Sequence, residues 1–280
     1  MPPTAIALVL VAACLHASWN LLAKRARDPF AFLWLAMLVA TGLLAPIALM
    51  RDPLSVATAI GPLVGSALVH GVYFVTLGEA YREGDLSTVY PIARGLGVAL
   101  APIGAAVFFA EVPSAMAAGG IALVVLAIAS MARAAPGAPR PSRRGVLLAL
   151  TTGPLIASYS VLDHHGVATA DPIPFLALTT LGALAVSSPL AWRRREAILG
   201  EWRARRAAVT FAAIASLGGY ALVLFAFRLA PTAYVVAARE SSIVIATLYG
   251  RFVLAERVPL ARGLAAAGIT AGVALVAIAR

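Results

Sequence analysis

Residues 94–121 read RGLGVALAPIGAAVFFAEVPSAMAAGGI, and residues 239–269 read RESSIVIATLYGRFVLAERVPLARGLAAAGI. In each stretch a glutamate follows an arginine by 17 residues: Arg94 and Glu111, then Arg239 and Glu256. A turn comes next, Val112-Pro113 in one copy and Val258-Pro259 in the other. It leads into a Gly/Ala-rich apolar segment through Gly119-Gly120-Ile121 or Gly268-Ile269. The openings of the two halves agree as well. Ala17-Ser18-Trp19-Asn20-Leu21-Leu22 is echoed by Ala157-Ser158-Tyr159-Ser160-Val161-Leu162, and Asp28-Pro29 by Asp171-Pro172. One unit has been used twice.

That unit belongs in a bilayer. Apolar residues make up 61% of the chain and charged residues 12%, with a mean hydropathy of +0.92. Soluble domains carry about 25% charged residues. The net charge of +10 is scattered over short loops, with no nucleic-acid-binding pattern. Cys14 is the single cysteine, which excludes an intrachain disulfide and a thiol metal cluster; it reads as a small buried apolar side chain. The first apolar run lacks a basic leader and is long enough to span, so it reads as a helix rather than a signal peptide.

Cut at charges and Pro/Gly clusters, the chain gives ten apolar runs, at 4–23, 30–50, 57–80, 86–109, 115–133, 145–163, 173–192, 207–229, 232–253 and 261–279. Each is long enough for a hydrocarbon core of about 30 Å. Only helices satisfy their own backbone groups over such runs in lipid. The expected fold is therefore an all-α integral membrane protein of ten transmembrane helices. Residues 1–134 form one five-helix repeat and 145–280 the other, joined by a Pro/Arg-rich linker at 135–144. Five is odd, so tandem copies face opposite ways. An inverted repeat of this kind places a substrate site between the halves in many transporters.

The basic residues set the orientation. Of the 22 Lys and Arg, 17 fall in odd-numbered loops: Lys24, Arg25 and Arg27; Arg82; Arg133, Arg140, Arg143 and Arg144; Arg193, Arg194, Arg195, Arg203, Arg205 and Arg206; Arg251, Arg257 and Arg262. The other side has Arg51, Arg228 and Arg280. Odd loops are expected in the cytoplasm and both termini in the periplasm.

The chain resembles the drug/metabolite transporter superfamily, in its ten-helix EamA branch. The resemblance rests on Leu15-His16-Ala17-Ser18-Trp19-Asn20-Leu21-Leu22-Ala23-Lys24, on Val89-Tyr90-Pro91-Ile92-Ala93-Arg94-Gly95, and on Glu111 and Glu256 before the last helix of each half. It covers essentially the whole chain. It implies a secondary transporter in a bacterial inner membrane, commonly an exporter of amino acids or other small metabolites. It also implies a central cavity lined mainly by spans one, three, four, six, eight and nine. Tyr90-Pro91 has no counterpart in the second half, where Val235-Val236 stands, so a gating role for that proline is not symmetric.

An ionisable side chain at membrane depth is costly and normally faces the bundle interior or a wet cavity. Arg94 lies within span four, and Arg239 and Glu240 within span nine. Either arginine suits a substrate carboxylate, because a guanidinium fork matches two oxygens. The alternative is an ion pair with Glu240 that fixes helix packing. His16, Trp19 and Asn20 share one face of span one at i, i+3 and i+4; Trp19 also fits an interfacial belt position. His70 and Tyr73 share a face of span three. With Tyr159, Tyr220 and Tyr90 they form the expected lining of an aromatic chamber for a ligand with an apolar body and a polar head. Packing with hydroxyls bonded across helices is the alternative for each tyrosine. Glu240, His16 and His70 are the proton-coupling candidates. Pro91, Gly95 and Gly97 form a candidate hinge beside Arg94.

Asp163, His164 and His165 read as solvated residues closing span six, with a weak metal-like spacing. Glu79, Arg82, Glu83 and Asp85 read as a solvated turn. Glu111 and Glu256 suit helix N-termini. The small pairs Gly61/Gly65 and Gly268/Gly272 allow close helix contact. No cofactor or metal is called for, and no enzyme motif stands at membrane depth. The expected partners are a small-molecule substrate and the lipid bilayer, and the expected state is a monomer. A multidrug exporter of lipophilic compounds and a non-transporting membrane scaffold are the rival readings; two buried arginines speak against lipophilic cations.

Overall fold

The structure, a computed structural model, describes residues 1–83, 86–133, 142–252 and 259–279. Every regular element among them is helical. The order is α1 (Pro3–Lys24), α2 (Pro29–Leu49), a short 3-10 helix (Pro53–Ala59), α3 (Ile60–Glu83), α4 (Leu86–Phe109), α5 (Ala115–Arg133) and α6 (Arg143–Thr169). Then come α7 (Pro172–Arg193), α8 (Arg195–Phe227), α9 (Thr232–Ala238), α10 (Ser241–Phe252) and α11 (Leu260–Ile278). Since α9 and α10 together make the ninth span, ten spans result, as expected.

The Asp-Pro repeat has a local cause. Asp28 caps α2, its carboxylate accepting from Ala31 N at 3.0 Å, and Asp171 caps α7, accepting from Ile173 N at 2.9 Å. In each case the proline follows in the first turn, where its missing N–H costs nothing. Both halves thus start their second helix with the same device. Ser142 caps α6 at Gly145 N, 2.9 Å away. The other residues of the expected linker up to Pro141, and likewise Asp85, Glu256 and Val258, lie outside the described residues.

Neighbours exchange symmetrically between the halves. α1 packs on α8 as α6 packs on α3, and α2 packs on α8 as α7 packs on α3. α5 meets α11 where the two halves touch their own equivalents. Lipid tails are as apolar as leucine, so close contact rather than water exclusion holds this crossing. A Cβ on Gly120 would lie 2.7 Å from the Gly272 carbonyl oxygen, and one on Gly272 would lie 2.6 Å from that of Gly120. Gly268 approaches Ala127 in the same seam. Gly65 fits against Leu162, whereas Gly61 faces open space and makes no helix contact.

Several expectations change. α6 runs six residues beyond 163, so Asp163, His164 and His165 are helical rather than terminal. α8 begins at Arg195 rather than 207, and its non-helical Arg205 (φ −139°) marks a bend between a surface arm and the span. That arm carries Glu201, whose Oε1 accepts from Arg27 N at 2.6 Å and Asp28 N at 3.1 Å. Glu79 is buried, not solvated, and pairs with Arg194 at 2.7 Å and Arg82 at 2.9 Å. Cys14 is exposed on the outside of the bundle.

Candidate functional site

A cavity lies inside the bundle, with about 850 Å3 of empty space including its mouth. Residues of α1, α2, α3, α6, α7, α8 and Arg239 at the end of α9 line it. The expected set of spans changes accordingly: α2 and α7 contribute Met37, Ala40, Thr179 and Ala183, and among the described residues none of the lining comes from α4.

One wall is aromatic. His70 stacks on Tyr159, ring centroids 4.2 Å apart, and meets Tyr220 edge-on at 5.4 Å. Tyr73 stands edge-on to Tyr159 at 5.3 Å. The spacings explain the grouping. His70 and Tyr73 share one face of α3, and Tyr159 comes from α6, which packs against it. On α1, His16 meets Trp19 edge-on at 4.9 Å. Trp19 is buried and lines the cavity rather than an interface belt. Asn20 shares that helix face but is not in the lining. Its amide donates to His16 O at 3.0 Å and its Oδ1 accepts from the Tyr81 hydroxyl at 3.0 Å. The Tyr90 side chain lies outside the described residues.

The two arginines, equivalent in the repeat, have different surroundings. Arg94 grips Glu240 with two donors, Nε to Oε2 at 3.1 Å and Nη2 to Oε1. Both side chains are almost fully buried. Arg239 forms no ion pair among the described residues; its guanidinium carbon sits 5.5 Å over the Tyr220 ring. Its Nη1 is buried without a hydrogen-bond partner among the described residues, as are His16 Nε2 and Thr179 Oγ1. All three belong to cavity-lining side chains. Buried polar atoms are normally satisfied, so an unfilled set of two donors or acceptors beside a guanidinium marks a place for a polar ligand group.

The ninth span tightens at this point. Arg239 and Glu240 lie between α9 and α10, where Glu240 N, Ser242 N and Ile243 N bond to carbonyls three residues back instead of four. By contrast α4 passes unbroken through Pro91. Gly95 and Gly97, expected as hinge partners, make room for neighbours. A Cβ would lie 3.2 Å from Ile128 at Gly95 and 2.8 Å from Ile156 at Gly97.

Asp163 was hidden from the sequence reading by the placement of span six's end. It is fully buried. The Ser66 hydroxyl bonds to Oδ1 and the Tyr220 hydroxyl to Oδ2, and His70 Nε2 stands 3.9 Å away. The legible signals were two i, i+4 pairs, Ser66/His70 and Tyr159/Asp163, each setting a polar atom on the face of a known candidate. The neighbouring histidines go elsewhere. His164 Nε2 lies 3.0 Å from Glu111, and His165 stacks on Phe109 at 5.0 Å. The three do not converge on a metal position.

Both ends of the bundle are tied. At the arginine-rich end, Arg194 joins Asp28 and Glu79. At the other end, Glu111 accepts from Thr232 N at 3.0 Å, serving the start of α9 rather than its own helix. Burial pushes the Glu111 carboxyl up, but bonds to His164 and Thr232 outweigh it and hold the group below its ordinary value.

Residues 143–278 match the model of the EamA-like transporter family. No curated protein matches the chain in sequence. One solved crystal structure superposes on 98% of this chain and 96% of its own, with a TM-score of 0.77 at 17% identity. That likeness shows the fold alone. The second half of the chain thus carries an EamA-like transporter domain, of the drug/metabolite transporter superfamily.

Proposed function

We propose that this EamA-like membrane transporter exports small amphiphilic metabolites, amino acids with aromatic or large apolar side chains, across a bacterial inner membrane by alternating access. The observation that carries the reading is Arg239, a cavity-lining guanidinium with no carboxylate of the protein bound to it among the described residues. Its repeat partner Arg94 is spoken for by Glu240. A substrate carboxylate is the natural complement of the free fork. The wall of His70, Tyr73, Tyr159 and Tyr220 suits an aromatic or large apolar side chain. His16 Nε2 and Thr179 Oγ1 supply further polar contacts.

The tightened turn at Arg239–Glu240 falls at the same site, and departures from regular helix commonly accompany transporter binding sites. The ties at the two ends are the contacts that must part in turn as the cavity changes side. Following the positive-inside tendency, the arginine-rich end faces the cytoplasm and both termini the periplasm. Ten spans enclose the cavity without help from a second copy, so the working unit is a monomer.

Uptake of labelled amino acids into proteoliposomes tests the proposal. Saturable uptake of phenylalanine-like or leucine-like substrates, competed by their unlabelled forms, is expected. Intact vesicles that take up no amino acid would sink it and shift attention to lipophilic compounds.

A further inference from the structure

Buried carboxylates at membrane depth are expensive unless neutralised or paired. Glu240 is paired; Asp163 forms no ion pair with arginine or lysine among the described residues. Its surroundings can be read hydrogen by hydrogen. His70 Nδ1 lies 3.1 Å from the Ser66 carbonyl oxygen and 3.0 Å from Ser66 Oγ. A carbonyl only accepts, so with one imidazole hydrogen on Nδ1 the bond to Ser66 O is made. The Ser66 and Tyr220 hydroxyls then supply their hydrogens to the two Asp163 oxygens. This leaves the lone pair of His70 Nε2 facing the lone pairs of Asp163 Oδ2 across 3.9 Å.

One more hydrogen, placed on Nε2, removes that conflict: it makes an imidazolium facing a carboxylate while Nδ1–H keeps its bond to the Ser66 carbonyl oxygen. The pocket is therefore built for two states that differ by one proton.

The other ionisable groups nearby are accounted for. From α8 comes Tyr220, and from the end of α9 comes Arg239 above it. α3 adds Tyr73 beyond His70. α6 itself adds Tyr159, stacked on His70, and His164, turned to Glu111. α4 brings Arg94, already bound to Glu240, and α7 and the 3-10 helix bring none at this level.

We propose that the His70–Asp163 pair is a binding site for one transported proton, coupled to the cavity through Tyr220 and Arg239. This rests on the transport reading above. His70 lines the cavity and gives the proton its route to water. The step is a transfer of H+ alone: an N–H bond forms on loading and breaks on release, with no redox change. Loading adds one positive charge beside the ring that carries Arg239, so the proton and the substrate sense each other through a single aromatic side chain.

The test uses the full-length protein in proteoliposomes, with counterflow of a labelled amino-acid panel measured beside accumulation driven by an imposed pH difference. The wild type should accumulate substrate several-fold under one polarity of the gradient. Asp163→Asn should keep counterflow and lose that gradient-driven component. A variant that still accumulates like the wild type overturns the proposal. If Asp163→Asn does not fold, His70→Gln is judged by acid-minus-alkaline infrared difference spectra rather than by transport, because His70 also lines the cavity; a carboxyl or imidazolium band lost from it supports the proposal, and an unchanged band overturns it. Should the wild type show no counterflow with any amino acid, the substrate reading falls. The proton site is then judged by infrared difference spectra between acid and alkaline pH. A carboxyl or imidazolium band absent from both variants supports it; no such band in the wild type overturns it.

Discussion

Arg94 and Arg239 occupy equivalent places in the repeat, yet replacing each with glutamine should produce opposite kinds of damage. Arg239 binds no protein carboxylate among the described residues and rests on Tyr220. Arg239→Gln therefore removes a ligand contact and at most a cation–π interaction of about 1 kcal/mol. Two charge-assisted hydrogen bonds to a substrate carboxylate, offset by partial replacement with water, are together worth about 3 kcal/mol. That corresponds to a rise of roughly 150-fold in KM for uptake. Arg94→Gln instead strands Glu240, which is 1% exposed. Breaking one side of a buried pair costs about 3–5 kcal/mol, a fall in Tm on the order of 10 °C for a chain of this size. Arg94→Gln combined with Glu240→Gln removes both charges and should recover most of that loss. The assays are initial rates against concentration in proteoliposomes and thermal unfolding in detergent. An Arg239→Gln protein with wild-type KM, beside an Arg94→Gln protein of normal Tm and raised KM, would refute the assignment.

Other outcomes follow from single contacts. Gly272→Val places carbon against the Gly120 carbonyl oxygen and should destabilise by about 1–3 kcal/mol, whereas Gly119→Ala, with nothing within 4 Å, should leave the detergent Tm unchanged. Because the folded-state pKa of Glu111 is depressed, the stability it contributes is present above the ordinary carboxylate value and lost as pH falls through the depressed one. Thermal scans across acid pH should show Glu111→Gln less sensitive than the wild type, and equal sensitivity would count against the Glu111–His164 tie. A reporter active only in the cytoplasm should stay silent at the C-terminus and work in the loop between α5 and α6; activity at the C-terminus would reverse the orientation.

Span number and repeat were legible because hydrophobic runs and Asp-Pro caps are local signals, written in consecutive residues. The aromatic wall was legible in part, since i, i+3 spacing places His70 and Tyr73 together whatever surrounds them. What was not legible depends on where helices end and which neighbours they meet. Asp163 followed by two histidines has the look of a solvated terminus, because lipid-level burial of a carboxylate needs partners, here Ser66 and Tyr220, that are 97 and 57 residues away. The arm of α8 escaped for the converse reason: its four arginines and two glutamates resemble a loop until Glu201 is seen holding the start of α2. Gly95 and Gly97 fit a hinge in sequence, and the nearness of Ile128 and Ile156, a packing role that spacing does not reveal, is seen only in the fold.

The position that pairs with Glu240 in the repeat is Gly95, just as Arg239 pairs with Arg94. Consider the two homodimers that separate halves could form. Two copies of the first half would bring a pair of arginines to the centre and no carboxylate to answer them. Two copies of the second would bring two arginines and two glutamates, each charge able to cancel another, and no guanidinium left over. Joining unlike halves in one polypeptide gives two cations and one anion at that level, and so one arginine free for a guest. The fused gene therefore encodes a charge imbalance that neither half, duplicated alone, can provide.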